Sequence, residues 1–244
     1  MFIAFSVCHA RLGVVTPDDA VTATSNLVDD DARDRVVVRG ADAQSYLQSQ
    51  IAQEIRDLDV GSARWTFVLD PSGKVDALAR ITRTADDEFV LDTDAGFGEG
   101  LLARIDRFKI RVDAASELDA ASTASPSSEV EQARIAAGWP RMGHEIESGQ
   151  TIPATTGITM LAVDFTKGCY PGQELVERMD SRGADAPRSL RVVDVAAGQA
   201  AGDSVVDGAG SDVGVLTSVD AVNGVGIASV KRGADIGRQP AHLV

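Results

Sequence analysis

The chain has 244 residues, of which 44% are hydrophobic and 25% charged. That length corresponds to about 1.5 domains of typical size, and the mix buries a sizeable core and excludes global disorder. The balance of 23 Lys+Arg against 37 Asp+Glu leaves a net charge of −14. Such a field repels phosphate backbones and anionic lipid and excludes a general nucleic-acid or membrane-surface binder, while a local Arg/Lys pocket still admits a small anion.

Met1 to Cys8 is apolar without a basic start and is about half the length of a membrane span, so it reads as a first strand. Val36-Val37-Val38 is a short buried-strand run. After Gly40-Ala-Asp42 come Ala43, Leu47, Ile51, Ile55 and Leu58 with Tyr46 beside them, an amphipathic helix with Asp42 at its N-cap. Arg64 to Leu69 reads as a strand, Asp70-Pro-Ser-Gly73 as a type I turn, and Lys74 to Thr82 as the second arm of the hairpin. Glu88 to Asp92 is another strand. Leu101, Leu102, Ile105 and Phe108 form a second helical face, and Lys109 to Val112 a strand after it. Hairpins mixed with helices predict an α+β layer, not a doubly wound parallel sheet.

Ser116 to Glu131 is rich in Ser, Ala and Asp and is expected to be an exposed linker, followed by a short helix from Glu131 to Gly138. Past Arg188 short apolar runs alternate with Gly/Asp turns, the pattern of a small antiparallel barrel or sandwich. A domain boundary therefore falls near residue 187, between residues 1–187 and 188–244. No stretch approaches ~18 uninterrupted apolar residues, which together with the soluble composition points to the cytoplasm.

Few motifs compete for the chemistry. Gly96-Phe-Gly98-Glu-Gly100 has its third glycine misplaced for a dinucleotide loop and fits a flexible start to a helix. His9, His144 and His242 are scattered without ligand spacing, so no sequence-local metal site is expected. The two cysteines, Cys8 and Cys169, form no C-x-x-C and fit a reducing compartment. Cys169 with His144 is the only nucleophile–base pair worth naming.

The dense region is Asp164 to Arg178. It reads as a turn feeding a helix, with Pro171 at the first helical position, Leu175, Val176 and Met179 on the buried face, and Glu174–Arg178 as an i, i+4 pair. Cys169 precedes a helix N-terminus and lies two residues from Lys167, both of which favour a thiolate. The plainer alternative is a small buried Cys and an exposed Lys where the helix begins.

Lys167-Gly-Cys-Tyr-Pro-Gly-Gln-Glu174 closely resembles the K-G-C-Y-x-G-Q-E signature of the YgfZ family, folate-binding relatives of the glycine-cleavage T-protein (aminomethyltransferase) that support iron–sulfur proteins. Further segments match in order: Gly40 to Gln50, Leu69 to Lys74, Arg107 to Val112, Arg134 to Pro140 with Ile152-Pro153, and Val213 to Ser218 with Gly226 to Ala228. The resemblance covers roughly residues 35–114 and 130–232. It implies a T-protein-like three-lobed arrangement around a central folate cavity, ending in a small antiparallel β-barrel. The implied ligand is tetrahydrofolate or a one-carbon derivative, and the implied partners are iron–sulfur enzymes or their assembly proteins.

Carried over by position, Lys167, Cys169, Gly172, Gln173 and Glu174 are the signature residues, with Arg178 on the same helix. Lys167 and Cys169 are the candidates for chemistry. Arg134 stands where T-proteins place an arginine near the folate. Asp76 stands near their catalytic Asp-Asp pair, but Ala77 follows it, so half of that pair is missing. T-proteins need a carboxylate to manage protons during aminomethyl transfer, and the missing half argues against a working transferase. Trp65 and Trp139 are the only indoles available to stack on a pterin. The leading expectation is a folate-binding accessory protein for iron–sulfur enzymes. Its rivals are a folate-dependent aminomethyl transferase and an interaction module that has lost its ligand.

Overall fold

A computed structural model describes residues 21–181 and 186–240. The expected first strand, with Cys8 and His9, lies outside these residues, as does His242.

Five antiparallel strands form the main sheet: β1 (Arg33–Arg39), β2 (Ala63–Leu69), β3 (Val75–Ala85), β4 (Glu88–Asp94) and β5 (Ala115–Asp119), in the order β2-β3-β4-β1-β5. Val36 to Val38 sit at its interior, β1 pairing β4 on one side and β5 on the other. A strand buried on both faces reads as a continuous apolar run, not an alternating one. Along β2, Trp65, Phe67 and Leu69 point to one face and Val68 to the other, feeding two separate apolar cores. The first core is closed by helices α1 (Ala43–Gln50) and α2 (Gly98–Asp106). The second is closed by Trp139, Met142, Ile146 and Tyr170.

The expected turn forms. Gly73 N–H donates to the Asp70 carbonyl at 3.0 Å, and Gly73 takes a φ of 89°, which a glycine adopts without strain.

Other local expectations are corrected. Helix α1 stops at Gln50, because Ala52 N–H leaves the helical ladder to donate to the Phe67 carbonyl on β2 at 2.9 Å. Ile51, Ile55 and Leu58 are buried all the same. Asp42 does stand at the N-cap of α1 as expected, but its carboxylate accepts from Asp113 N–H at 2.9 Å and not from a helix N–H. No strand forms at 109–112, since Arg111 has a left-handed φ of 54° that an extended strand excludes. The supposed linker instead supplies β5 and the start of helix α3 (Ser128–Ala137), whose end at Gly138 is as expected. The composition hid β5 because it is an edge strand whose ladder and half-buried Leu118 suffice to hold it.

A second antiparallel sheet begins at Arg188: β6 (Arg188–Asp194), β7 (Ser204–Val206), β8 (Asp212–Asp220) and β9 (Val225–Lys231), ordered β6-β9-β8-β7. Among the described residues it is an open sheet and no barrel closes. Beyond β6, only the Arg238 backbone pairs with Val192, at 2.8 and 2.9 Å.

Candidate functional site

The signature segment runs from helix α4 (Thr159–Ala162) to helix α5 (Gln173–Ser181). Its lysine is fully engaged. Lys167 Nζ donates to the carbonyls of Gln48 (2.7 Å), Ile51 (2.7 Å) and Gln53 (2.9 Å), where α1 ends and its carbonyls lack helical partners. An ammonium has three protons, so none is left for a ligand or for the thiol two residues on. Burial lowers its pKa to about 8 against the opposing pull of Glu54 and Asp164.

Gly172 and Gly73 allow the loop to dock on the hairpin. Gly172 has a φ of 82°, and a Cβ there would stand 2.4 Å from the Asp70 carbonyl oxygen; one on Gly73 would stand 2.8 Å from the Gly172 carbonyl oxygen. The two backbones touch where only glycine fits. Gln173 Oε1 accepts from Tyr170 N–H at 2.8 Å, and its Nε2 donates to Glu177 at 3.0 Å. That contact is the i, i+4 pair that forms on α5, in place of the expected Glu174–Arg178. Pro171 precedes the helix by two residues and is not its first position. Tyr170 is buried in the second core, which pushes its hydroxyl pKa up to about 12.

Gly168, Cys169, Glu174 and Arg178 remain exposed. The buried-cysteine alternative is therefore excluded: Cys169 is a free, exposed thiol.

Asp76 lies on the second hairpin arm, its side chain 26% exposed and its Oδ2 3.4 Å from Arg104 Nε. Burial raises its pKa, and Arg104 pulls against that. Arg104 is itself buried on α2, donating from Nε (3.0 Å) and Nη2 (2.8 Å) to the Leu69 carbonyl and from Nη1 (3.2 Å) to Gln50. Sequence reasoning missed Arg104. The signal was available: it shares the Leu101–Ile105–Phe108 face, and a charge on an apolar helix face needs an internal partner.

Arg134 lies elsewhere, between α3 and the second sheet. All five guanidinium donors are engaged: Nε and Nη2 with Glu131 (2.9 and 2.7 Å), Nη1 with Glu145 (2.9 Å) and the Trp139 carbonyl (2.7 Å), and Nη2 with Ser218 (2.7 Å). Glu145, wholly buried, also accepts from Thr217 and Ser218 at 2.8 and 2.7 Å. Trp65 and Trp139 pack on each other with centroids 5.0 Å apart, both buried in the second core. The structure thus sets Gly172 against the turn of the hairpin that carries Asp76, anchors Lys167 at the end of α1, and commits Arg134 to a separate set of partners.

Among the described residues no group of three His, Cys, Asp or Glu could hold a metal ion, and no helix is long and apolar enough to cross a membrane.

Residues 13–136, just over half of the chain, match the family described as the GCVT N-terminal domain. An uncharacterized protein of Haemophilus influenzae is 26% identical over 188 residues, 62% of this chain and 67% of that protein. An iron–sulfur cluster assembly factor IBA57 homolog, mitochondrial, from Chaetomium globosum is 47% identical over 77 residues, 32% of this chain and 17% of that one. The tRNA-modifying protein YgfZ of Serratia proteamaculans is 46% identical over 52 residues, 21% of this chain and 16% of that one. The chain thus spans under a fifth of either of these two relatives. In three dimensions it is similar to the glycine cleavage system aminomethyltransferase T of Bartonella henselae, with a TM-score of 0.70 and 15% identity over 83% of this chain and 77% of that one. A signature loop seated on the hairpin of a mixed α/β fold, together with these matches, assigns the chain to the GCVT N-terminal domain family as a YgfZ/IBA57-like member with the T-protein fold.

Proposed function

We propose that the chain is a tetrahydrofolate-binding accessory protein that supports the assembly, maturation or repair of iron–sulfur enzymes. The observation that carries this reading is the division of labour within the signature loop. Lys167 ties the loop to the end of α1, Gly172 lets it touch the hairpin turn and Gln173 braces it internally, and Cys169 is left exposed on that fixed support. The printed names of the Chaetomium and Serratia relatives support the iron–sulfur and YgfZ connection over the short stretches they match.

The residues at Asp76 fit a folate. A half-buried carboxylate offers two acceptor oxygens to the paired N–H donors on a pterin edge, a charge-assisted geometry. Burial raises the pKa of that carboxylate, and the Arg104 guanidinium beside it opposes the rise. The reduced ring, when bound, supplies an amine that accepts one-carbon units. Asp76 binds and orients it, Glu174 is the exposed acidic group of the signature nearby in sequence, and Cys169 supplies the thiol that meets cluster, sulfur or an oxidised adduct.

Complementation tests the thiol. In cells lacking the chain, wild type restores the activity of an iron–sulfur hydro-lyase and a Cys169→Ala variant of equal abundance does not. Full restoration by the variant removes the thiol from the account.

A further inference from the structure

A cavity of about 320 Å³ lies between α4, α5, the turn at 153–155 and β6. Clefts that take small molecules run from about 300 to 1,000 Å³ and are mostly apolar, with a few placed polar groups. This one has that make-up. Met160, Phe165, Leu175, Val176 and Met179 supply apolar wall, and Met160 stays 70% exposed. Thioether side chains adapt to the shape of an occupant, and a wall of thioethers and branched aliphatic groups with a single phenyl ring suits a flexible chain better than a flat ring.

The charge in this cavity comes from β6. Ser189 and Arg191, two residues apart, share one face of that strand, and both line the cavity beside Gln239. Among the described lining residues Arg191 carries the only charge. Its Nη1 donates to two neutral acceptors, the Leu190 carbonyl at 2.9 Å and Gln239 Oε1 at 3.4 Å. Its Nε–Nη2 edge, the fork that receives a carboxylate in two parallel bonds, has no partner among the described residues. Arg33, Arg64, Arg80 and Arg134, by contrast, are each paired with carboxylates.

We infer that this cavity binds a small aliphatic monocarboxylate, its chain against the two methionines and α5 and its carboxylate on the open edge of Arg191. At the ~30 Å³ that a water-sized group occupies, the space holds about ten heavy atoms, an acid of about eight carbons. A local guanidinium makes such an anion acceptable to a chain whose net charge is −14. Neither Asp76 nor Arg104 lines the cavity, so the inference does not depend on the folate reading.

Octanoate, hexanoate and 1-octanol are the probes, titrated into wild type and R191Q and followed through the methyl signals of carbon-13-labelled methionine. Unchanged thermal unfolding confirms that the variant is folded. The expected result is a saturable shift of the Met160 and Met179 signals by octanoate, with Kd about 0.1–1 mM, while Met142, buried in the second core, does not move. Hexanoate, two methylenes shorter, is expected to bind about tenfold more weakly. Loss of charge on either side, by R191Q or by 1-octanol, is expected to weaken binding about three- to tenfold. Absence of a saturable shift, a shift centred on Met142, or equal affinity of octanoate for wild type and R191Q overturns the inference. Displacement of octanoate by tetrahydrofolate also overturns it, by making the cavity part of a folate site; failure of tetrahydrofolate to bind anywhere overturns the folate reading and leaves this one standing.

Discussion

The loop at 167–173 and the cluster around Arg134 each fasten a distant segment in place, but they are made of different materials. At the loop, one ammonium meets three backbone carbonyls and two glycines bring main chains into contact. At the cluster, charges from α3 and the 141–145 turn and hydroxyls from β8 saturate one another. A backbone-built joint is compact in sequence and leaves neighbouring side chains such as Cys169 uncommitted. A charge-built joint consumes every group it contains and tolerates no missing partner, because each buried ion has given up its water.

The contrast predicts a ranking of damage. Glu145→Ala, which strands part of the Arg134 guanidinium and the hydroxyls of Thr217 and Ser218, is expected to cost about 3–5 kcal/mol in chemical denaturation. Gly172→Ala forces a methyl group toward the Asp70 carbonyl at a left-handed φ, and a loss of about 2–3 kcal/mol is expected by the same measurement. A loss of under about 0.5 kcal/mol there would show that the loop does not rest on the hairpin.

Lys167→Met removes one charged donor from three carbonyls and is expected to cost about 1–3 kcal/mol near neutral pH. Its pH dependence sharpens the point. The folded pKa is lowered from 10.5 to about 8, so within that window the unfolded chain holds a proton that the folded chain has released. Wild type should therefore gain stability relative to Lys167→Met as pH rises from about 8 to 10.5, with a constant difference below about 8. A gap that shrinks with rising pH contradicts the buried clamp. At the bottom of the ranking, Gly168→Ala and Cys169→Ala should each fall within about 0.5 kcal/mol of wild type, since Gly168 has open space around it and Cys169 is exposed.

The same contrast explains what the sequence made legible. The hairpin turn, the α3 stop at Gly138 and the signature loop are local, each written in a few adjacent residues whose geometry or chemistry is restrictive. The Arg134 partners are spread from Glu131 to Ser218, and no local pattern announces that they meet. Strand β5 was hidden by a Ser/Ala-rich composition, and the missing strand at 109–112 by a single left-handed residue, Arg111. Lys167 was visible as a signature residue, but its part was not: only the fold reveals that three carbonyls at the end of α1 claim its protons.

The central claim is that a folate binds at Asp76, on the hairpin the signature loop supports. Anaerobic calorimetric titration of tetrahydrofolate into wild type and Asp76→Asn tests it most directly. Saturable one-to-one binding, weakened about tenfold or more when the carboxylate loses its charge, is the predicted result. Binding of equal strength in both proteins would move the ligand away from Asp76, and no binding to wild type would contradict the account.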